Sequence, residues 1–577
     1  MRPSGRGDTE SLYFTYPHFE PPKNSDNLTK STAVAIVGAG PIGMTAALTL
    51  AQNGIRSIVL DAKSTFNDGS RAICVARQSF RILERIGAVA PFLKKALPWT
   101  TGRSFYRGQQ ILEFQMPDSP HEKFRPMYNI QQQYIEQYLW DAICQEPLIE
   151  VRWQSKVTGI KDHPNKVTLK VEDPNDTYEL DCDWILAADG ARSTVRKLRG
   201  LRLKGENYEG RYVIADVQMK HDFPTIRRAL FDPECRRGGT ILIHKEPDDI
   251  WRIDYQLDDD EDEATATRED TVRASVDAVL KEIGYDGEWD LEWWSVYSAN
   301  TLALDDYRDG RIFFIGDSAH IVPIFGVRGL NNGLADAYDI GWKLAWVLQA
   351  KASETLLDSY TPERRGATMD VFANATKSAR FMTPPTSGWQ LMRDAALNLA
   401  LSHPFAGNLA NPRQMTPYTY ADSPVVLPDD LSFSGGPVAG AVLPDVKYLD
   451  GFLSEQLCIG FTLITFDNAL AKTASDLGLK HVIVPYDSDA GKMLSASPQS
   501  AYLIRPDTHI AARWTKASSE DVRCAMTIAL DIVGEDRQNL LLAKLVLLLS
   551  NDLGDTELIC KRIKEASANL ETEPSAG

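Results

Sequence analysis

The 577-residue chain is short of cysteine pairs, of positive charge and of long apolar runs, and each shortage excludes a class of protein. Its seven cysteines (74, 144, 182, 235, 458, 524 and 560) are scattered and never spaced as CxxC. That argues against a disulfide framework or a zinc knuckle, leaves no metal site expected, and fits a reducing cytoplasm. Lys and Arg number 62 against 79 Asp and Glu, and the resulting charge of −17 repels phosphate backbones, so no nucleic-acid partner is expected. The acidic run Asp258–Glu263 is a solvated loop on the simplest reading, with a cation site as the alternative. No stretch approaches the roughly 20 apolar residues of a membrane span. The nearest, LLLAKLVLLL (Leu540–Leu549), is short, carries Lys544 and reads as a core or interface helix rather than a membrane contact. Residues 1–30 have no apolar h-region and read as an N-terminal extension, not a signal peptide. No internal repeat is present.

What remains is 43% hydrophobic residues in a chain long enough for more than one domain. AVAIV (Ala33–Val37) is a compact β-branched run, the mark of a buried parallel strand. GAGPIG follows, then a helix-forming stretch that stops at Gly54, then a second strand, Ser57–Leu60, ending at Asp61. Gly38, Gly40 and Gly43 fill the GxGxxG slots of a βαβ unit, and Asp61 falls about 20 residues on, where a ribose-binding acid belongs. The first two glycines let backbone N–H groups approach a pyrophosphate at a helix N-terminus, and the third lets helix pack on strand.

Two later stretches repeat the pattern of an acid at a strand's carboxyl end. DWILAADGARSTVRK (Asp183–Lys197) ends a strand at Asp189-Gly190, with Ser193 and Arg196 on the helix beyond; alone it is equally a surface turn. RIFFIG (Arg311–Gly316) is a strand with Asp317 at its end, and GVRGLNNG then opens a helix whose Leu330, Leu334, Ala337, Ile340 and Leu344 recur at helical spacing. The free N–H groups at that helix start suit a negative charge such as a reduced flavin. Between about 211 and 292, short alternating segments predict an antiparallel sheet. Residues 401–440 are rich in Pro and Gly and predict a surface linker, after which an α/β pattern resumes with strands at Ile459–Phe466, His481–Tyr486 and Ala501–Asp507.

The ordered set GxGxxG, DG, GD resembles the aromatic-hydroxylase family of flavin monooxygenases, the single-component class A enzymes related to p-hydroxybenzoate hydroxylase, over residues 30–400. AYLIRPDTHIAARW (Ala501–Trp514) is similar to the thioredoxin-like C-terminal domain of the longer phenol hydroxylase and 3-(3-hydroxyphenyl)propionate hydroxylase type; lacking CxxC, it implies a structural or dimer-forming module. The fold so implied is α/β: a Rossmann-like FAD-binding domain (31–205 and 300–400), an inserted antiparallel-sheet substrate domain (206–299), a linker (401–440) and a thioredoxin-like domain with a helical tail (441–577).

By the same resemblance Gly38, Gly40 and Gly43 cradle the FAD pyrophosphate and Asp61 binds the adenosine ribose. Arg71 and Arg77 approach flavin and phosphates, and Gln132, in the pattern Gln-x-x-hydrophobic-Glu, lies near the cofactor. Asp189 serves the FAD and NAD(P)H sites, Asp317 holds the ribityl chain, and Gly329, Leu330 and Asn331, within the Gly326–Gly333 backbone, meet the flavin ring. One departure stands out: where the family has Pro-x-Gly-Gly-Gln-Gly, Val327 and Arg328 occupy the Gly-Gln positions. Arg328 either steadies reduced flavin or an anionic substrate, or makes an ordinary salt bridge.

The activity implied is hydroxylation of a small phenolic aromatic substrate: NADPH or NADH reduces FAD, O2 gives a C4a-hydroperoxyflavin, and its distal oxygen passes to the ring. Ring attack is fastest on a phenolate, and ionising a phenol near neutral pH takes about 4 kcal/mol of differential stabilisation. A buried network from the middle sheet is therefore expected, with His244, Arg252, Asp254 and Tyr255 as candidates and Tyr255 and His244 ranked first. His320, beside the third motif, is expected to support structure. A flavin-dependent halogenase or oxidase on a related fold is the alternative, although EWWSVYS (Glu292–Ser298) does not match the halogenase Trp-x-Trp-x-Ile-Pro. A flavoprotein scaffold acting through the thioredoxin-like module is a third. A cytoplasmic homodimer is expected.

Overall fold

The computed structural model describes residues 1–23, 28–323, 327–411 and 416–530. Leu540–Leu549, the helical tail and Gly326 lie outside the described residues.

The first βαβ unit forms as its pattern predicts. Ser31–Val37 is buried at its carboxyl half, the helix Pro41–Gln52 starts with proline at its first position, and the chain turns through Gly54 at φ +76° into Ser57–Leu60. Apolar side chains on both faces of these strands place them in the middle of a sheet. Its strand order is Arg308–Asp309, Ile312–Phe314, Thr177–Ala187, Ser31–Val37, Ser57–Leu60, Ile149–Arg152, with Lys156–Asp162 and Val167–Glu172 folded back on Thr177–Ala187. Ser57–Leu60, Ser31–Val37, Thr177–Ala187 and Ile312–Phe314 run parallel, so the strand ends followed by Asp61, Asp189 and Asp317 emerge on one edge.

A second eight-stranded sheet contains Lys204–Met219, Arg227–Phe231, Thr240–Lys245, Ile250–Gln256 and Trp289–Ala303. The hairpin Thr101–Tyr106/Gln109–Gln115, inside the stretch assigned from sequence to the first domain, completes this sheet by pairing with Arg227–Phe231. One face is apolar: Val213, Ala215, Ile241, Ile253 and Tyr255 pack with Val272, Val276 and Val279 of the helix Glu269–Glu282. Register puts Asp216, Arg252, Asp254 and His244 together on the other face, turned toward the first domain.

The C-terminal unit runs strand, helix, strand, helix, strand, strand, helix from Thr462 to Leu530. Its sheet order is Lys480–Ile483, Thr462–Thr465, Ala501–Ile504, Ile510–Trp514, with only the first pair parallel, the arrangement of a thioredoxin-like fold. The six described cysteines are all free. The preceding stretch is more than a surface strap, because Tyr420 and Ser423 are buried in it. Among the described residues no helix is long and apolar enough to cross a membrane.

Candidate functional site

The glycines of the first motif are where close approach demands them. A Cβ on Gly43 would lie 1.9 Å from the Gly38 carbonyl oxygen, and one on Gly38 would lie 2.5 Å from the Ala188 carbonyl oxygen. Helix and strand thus touch through backbone alone, and the first motif abuts the strand end that carries Asp189. Gly40 opens the helix without a side-chain cap, leaving the first-turn N–H groups free for an acceptor. Asp61 closes the motif from below: its carboxylate accepts from the Ala39 N–H at 2.7 Å and the Lys63 N–H at 2.8 Å.

Asp189 and Asp317 sit on the neighbouring strand ends. Asp189 accepts from the Val195 N–H at 3.0 Å, while its other oxygen is buried with no hydrogen-bond partner. Burial pushes its carboxyl up, against the pull of Ser193 and Val195. The Asp317 side chain is exposed, yet the protein packed around it raises its carboxyl, and the charges of His320 and Arg71 oppose the rise. Ser193 caps the short helix Thr194–Leu198, and Arg196 on it donates to the carbonyls of Ser318 and Ala191. Arg196 therefore binds the second motif to the third.

Gln132 Oε1 accepts from the Arg71 and Ala72 N–H groups at 3.2 and 3.3 Å, and its amide donates to Glu136 at 2.8 Å. The Arg71 side chain is exposed, and its charge reaches Asp317. Arg77 goes elsewhere, since it is ion-paired with Asp118 at 3.1 Å and with Glu122.

The third motif is tied to the rest by Asn331. Its oxygen accepts from the Ala76 N–H at 2.8 Å and its amide donates to the Cys74 carbonyl at 3.0 Å, clamping the strand Cys74–Ala76 to the start of the helix Gly329–Leu348. Leu330 is half-buried against the helical core, and a Cβ on Gly329 would only graze Val322. Val327 takes φ +56°, a left-handed conformation that a β-branched residue resists and that glycine, usual in the resembled family, accepts. Arg328 is buried; burial lowers its guanidinium and Asp370 offsets this. It lines a cavity of about 710 Å³ with Ala76, Met116, Met127, Asn331 and Val371, which reaches Leu443 and His509 of the C-terminal unit.

His320 is buried with Nε2 at 2.6 Å from Asp336, a residue that sequence reasoning missed. Asp336 also accepts from the Gly316 N–H at 3.0 Å and from Arg364 at 2.6 Å. Arg364 donates to Tyr420, whose ring stacks on His509 of the C-terminal unit. A second buried group lies alongside: Lys343 and Arg505 both donate to Glu363, and Arg505 also to Asp339 and Asp507. Burial alone would raise Glu363; Arg505 and Lys343 hold it down at about 2. The three carboxylates stand close enough together to hold a metal ion, but Lys343 and Arg505 are already ion-paired with them.

On the middle sheet, Tyr255 and His244 part company. Tyr255 faces the helical layer with the Arg236 guanidinium 5.2 Å from its ring, so the structure does not bring it to the flavin motifs. His244 is on the inner face, its ring 6.3 Å from that of Trp99; burial and the charges of Arg227 and Arg252 keep it neutral. Arg252 is held by Asp216 at 2.8 Å and reaches the backbone carbonyls of Ser70 and Arg71, so the sheet is bolted to the Arg71 loop.

A family model described as FAD binding domain matches residues 31–375. The chain is 25% identical over 361 residues to 3-(3-hydroxy-phenyl)propionate/3-hydroxycinnamic acid hydroxylase of Mycolicibacterium smegmatis, a match that spans 63% of either chain. It is 28% identical over 502 residues to 12-dehydrotetracycline 5-monooxygenase/anhydrotetracycline 6-monooxygenase of Streptomyces rimosus, spanning 84% of this chain and 95% of that one. Among solved structures, aklavinone-11 hydroxylase with FAD and aklavinone shares the fold at 20% identity and a TM-score of 0.70, covering 87% of this chain and 99% of that one. The free helix start at Gly40 and the unpartnered oxygen of Asp189 fit a flavin dinucleotide, which brings phosphates to the first and hydroxyl donors to the second.

Proposed function

Because the chain belongs to the FAD-binding-domain family, we propose that it is an FAD-dependent monooxygenase that uses NAD(P)H and O2 to hydroxylate a phenolic aromatic compound. The observation that carries the reading is the convergence of three acid-bearing strand ends, Asp61, Asp189 and Asp317, with the capless helix at Gly40 on one side of a parallel sheet. Bound FAD would supply electron transfer from NAD(P)H and activation of O2.

The chain's own part is to bind, orient and keep water out. Gly38, Gly40 and Gly43 would seat the pyrophosphate, Asp61 the adenosine ribose, and Asp189, Asp317 and Arg71 the middle of the cofactor, with Gln132 fixing the Arg71 backbone. Gly329, Leu330 and Asn331 present the positive end of a 20-residue helix, where negative charge is stabilised. The cavity beside Arg328 has the volume of sites that take drug-sized ligands, which supports a substrate larger than one ring. The reading extends to a homodimer in the cytoplasm, in keeping with the six described cysteines being free.

Purified protein should be yellow and release FAD on denaturation. NADH and NADPH oxidation should accelerate with members of a panel of phenols and fused-ring phenols, with hydroxylated product formed. Colourless protein, or peroxide released with no product from any compound, would sink the reading.

A further inference from the structure

Arg81 is a buried cation with one tie. On the helix Arg77–Arg85 it is 7% exposed, and its Nη1 donates to the carbonyl of Leu443 in the C-terminal unit at 2.9 Å. Its Nε has no hydrogen-bond partner, and among the described residues no carboxylate is ion-paired with it. The acids around it are engaged elsewhere. Glu122 is ion-paired with Arg77, Glu84 with Lys123 at 2.6 Å, and Asp445 accepts from the Val446 N–H and the Ser454 hydroxyl. Burial lowers the guanidinium, and the charges of Asp445 and Glu122 offset part of that. A buried guanidinium without a close counter-charge is costly, and a carboxylate meeting its fork would remove the cost.

The place for such a carboxylate is open. Arg81 lines the cavity of about 710 Å³ that Arg328 and Asn331 also line. Two contacts fix its position there. Ser79 Oγ is 2.7 Å from Asn331 Oδ1, and Arg85 donates to the Tyr338 hydroxyl at 2.8 Å. The helices Arg77–Arg85 and Gly329–Leu348 therefore lie side by side in the same direction, and Arg81 stands between the two contacts. The wall follows the second helix from Asn331 to Asp339, about 12 Å at 1.5 Å per residue. A ligand filling this space is longer than one ring and passes Arg81.

The rest of the wall suits an aromatic body. Met116, Met127, Ala335, Ala367, Val371 and Leu443 supply apolar surface, and few polar groups remain to orient a ligand. The other charges in the wall are opposed. Arg364 is held by Asp336, Asp339 by Lys343, Asp507 by Arg505, and Asp370 acts on Arg328.

We propose that Arg81 binds a carboxylate of the substrate, so that the compound hydroxylated is an extended aromatic acid. Its phenolic ring lies toward Arg328 and Asn331, and its carboxylate reaches the guanidinium beneath Leu443. The C-terminal unit is then one wall of the substrate site, and its docking shapes which compounds fit. The proposal deepens the hydroxylase reading above and rests on it.

The test uses the FAD-loaded protein and two matched pairs of probes, 6-hydroxy-2-naphthoate with 2-naphthol and 3-(3-hydroxyphenyl)propionate with 3-ethylphenol. Dissociation constants come from the change in flavin absorbance on binding, and KM and kcat from NAD(P)H oxidation with product counted. The wild type should bind the acid of at least one pair at least tenfold more tightly than its neutral partner. Arg81→Met should erase that preference, with the loss falling on KM for the acid rather than on kcat. Arg81→Lys, which keeps the charge but not the fork, should restore part of it. An Arg81→Met protein that still prefers the acid overturns the proposal, as does a wild type that binds both members of each pair equally. Should Arg81→Met fold poorly, Ala335→Phe, which narrows the same cavity, carries the test beside the wild-type comparison. It should bind the acid at least tenfold more weakly than the wild type, and unchanged binding overturns the proposal. Each of these failures leaves the hydroxylase reading intact where a phenol still accelerates NAD(P)H oxidation. If no probe does so in the wild type, the hydroxylase reading falls and this inference with it.

Discussion

Asp336 and Arg364 form a buried ion pair, Oδ1 to Nε 2.6 Å, whose other carboxylate oxygen accepts the Gly316 N–H at the turn that bears Asp317. The acid at the third motif is thus aimed by a second acid behind it. Replacing Arg364 with Met leaves the buried Asp336 without its guanidinium partner, and removing one member of such a pair costs about 3–5 kcal/mol. Thermal unfolding of Arg364→Met should show that loss, and FAD retention on gel filtration should fall with it. A variant as stable and as yellow as the wild type would show that Gly316 and Asp317 are positioned by other contacts.

Arg505 does the same work between units. It is fully buried and donates to Glu363, Asp339 and Asp507, so Arg505→Met leaves three buried carboxylates with Lys343 on only two of them, Asp339 and Glu363. The C-terminal unit should then detach before the rest unfolds. Limited proteolysis should cut between residues 411 and 445 in Arg505→Met much faster than in the wild type, and equal cutting rates would refute the anchoring role.

Gly43→Ala tests the cradle. The new Cβ meets the Gly38 carbonyl oxygen at 1.9 Å, and since both are backbone neither side can turn away. Overpacking of this kind costs about 1–3 kcal/mol, and the shifted helix start should lower FAD affinity more than tenfold. Flavin fluorescence titration of the apoprotein reads the second effect directly.

The first domain was largely legible because its signals are local. GAGPIG between a β-branched strand and a helix needs only short-range rules, and Asn331 and Asp317 follow from the same run of motifs. The middle sheet was legible as strands but not as faces. Alternation put Arg252 with Asp254 and Ile253 with Tyr255, yet only the helix Glu269–Glu282 decides which face is covered, and it covers Tyr255. The buried ionic groups were hidden because charge in sequence reads as surface. Asp336, Asp339 and Lys343 are interleaved with Leu334, Ala337, Ile340 and Leu344 at helical spacing, and charges on an apolar stripe were the available sign. Arg364 and Arg505 give no such sign, since their partners are distant in the chain. The hairpin Thr101–Gln115 joined the second sheet for the same reason: pairing across more than a hundred residues leaves no local trace.

Asp254 makes a prediction about stability. Burial, opposed by Arg252, pushes its carboxyl from 3.8 to about 7. A group whose pKa is higher folded than unfolded binds its proton more tightly in the folded state. Below pH 4 both states are protonated and nothing is lost. Between pH 4 and 7 the unfolded chain ionises first, so stability falls, and above pH 7 the full penalty applies. At about 1.4 kcal/mol for each pH unit it amounts to at most about 4 kcal/mol. Asp254→Asn carries no such titration, so the stability of the variant relative to the wild type should rise steadily between pH 4 and 8. Urea unfolding of the two proteins at pH 5 and pH 8 measures the difference, in which every other titrating group cancels to first order. A gap unchanged between the two pH values would mean that Asp254 is ionised throughout, paired with Arg227 in solution.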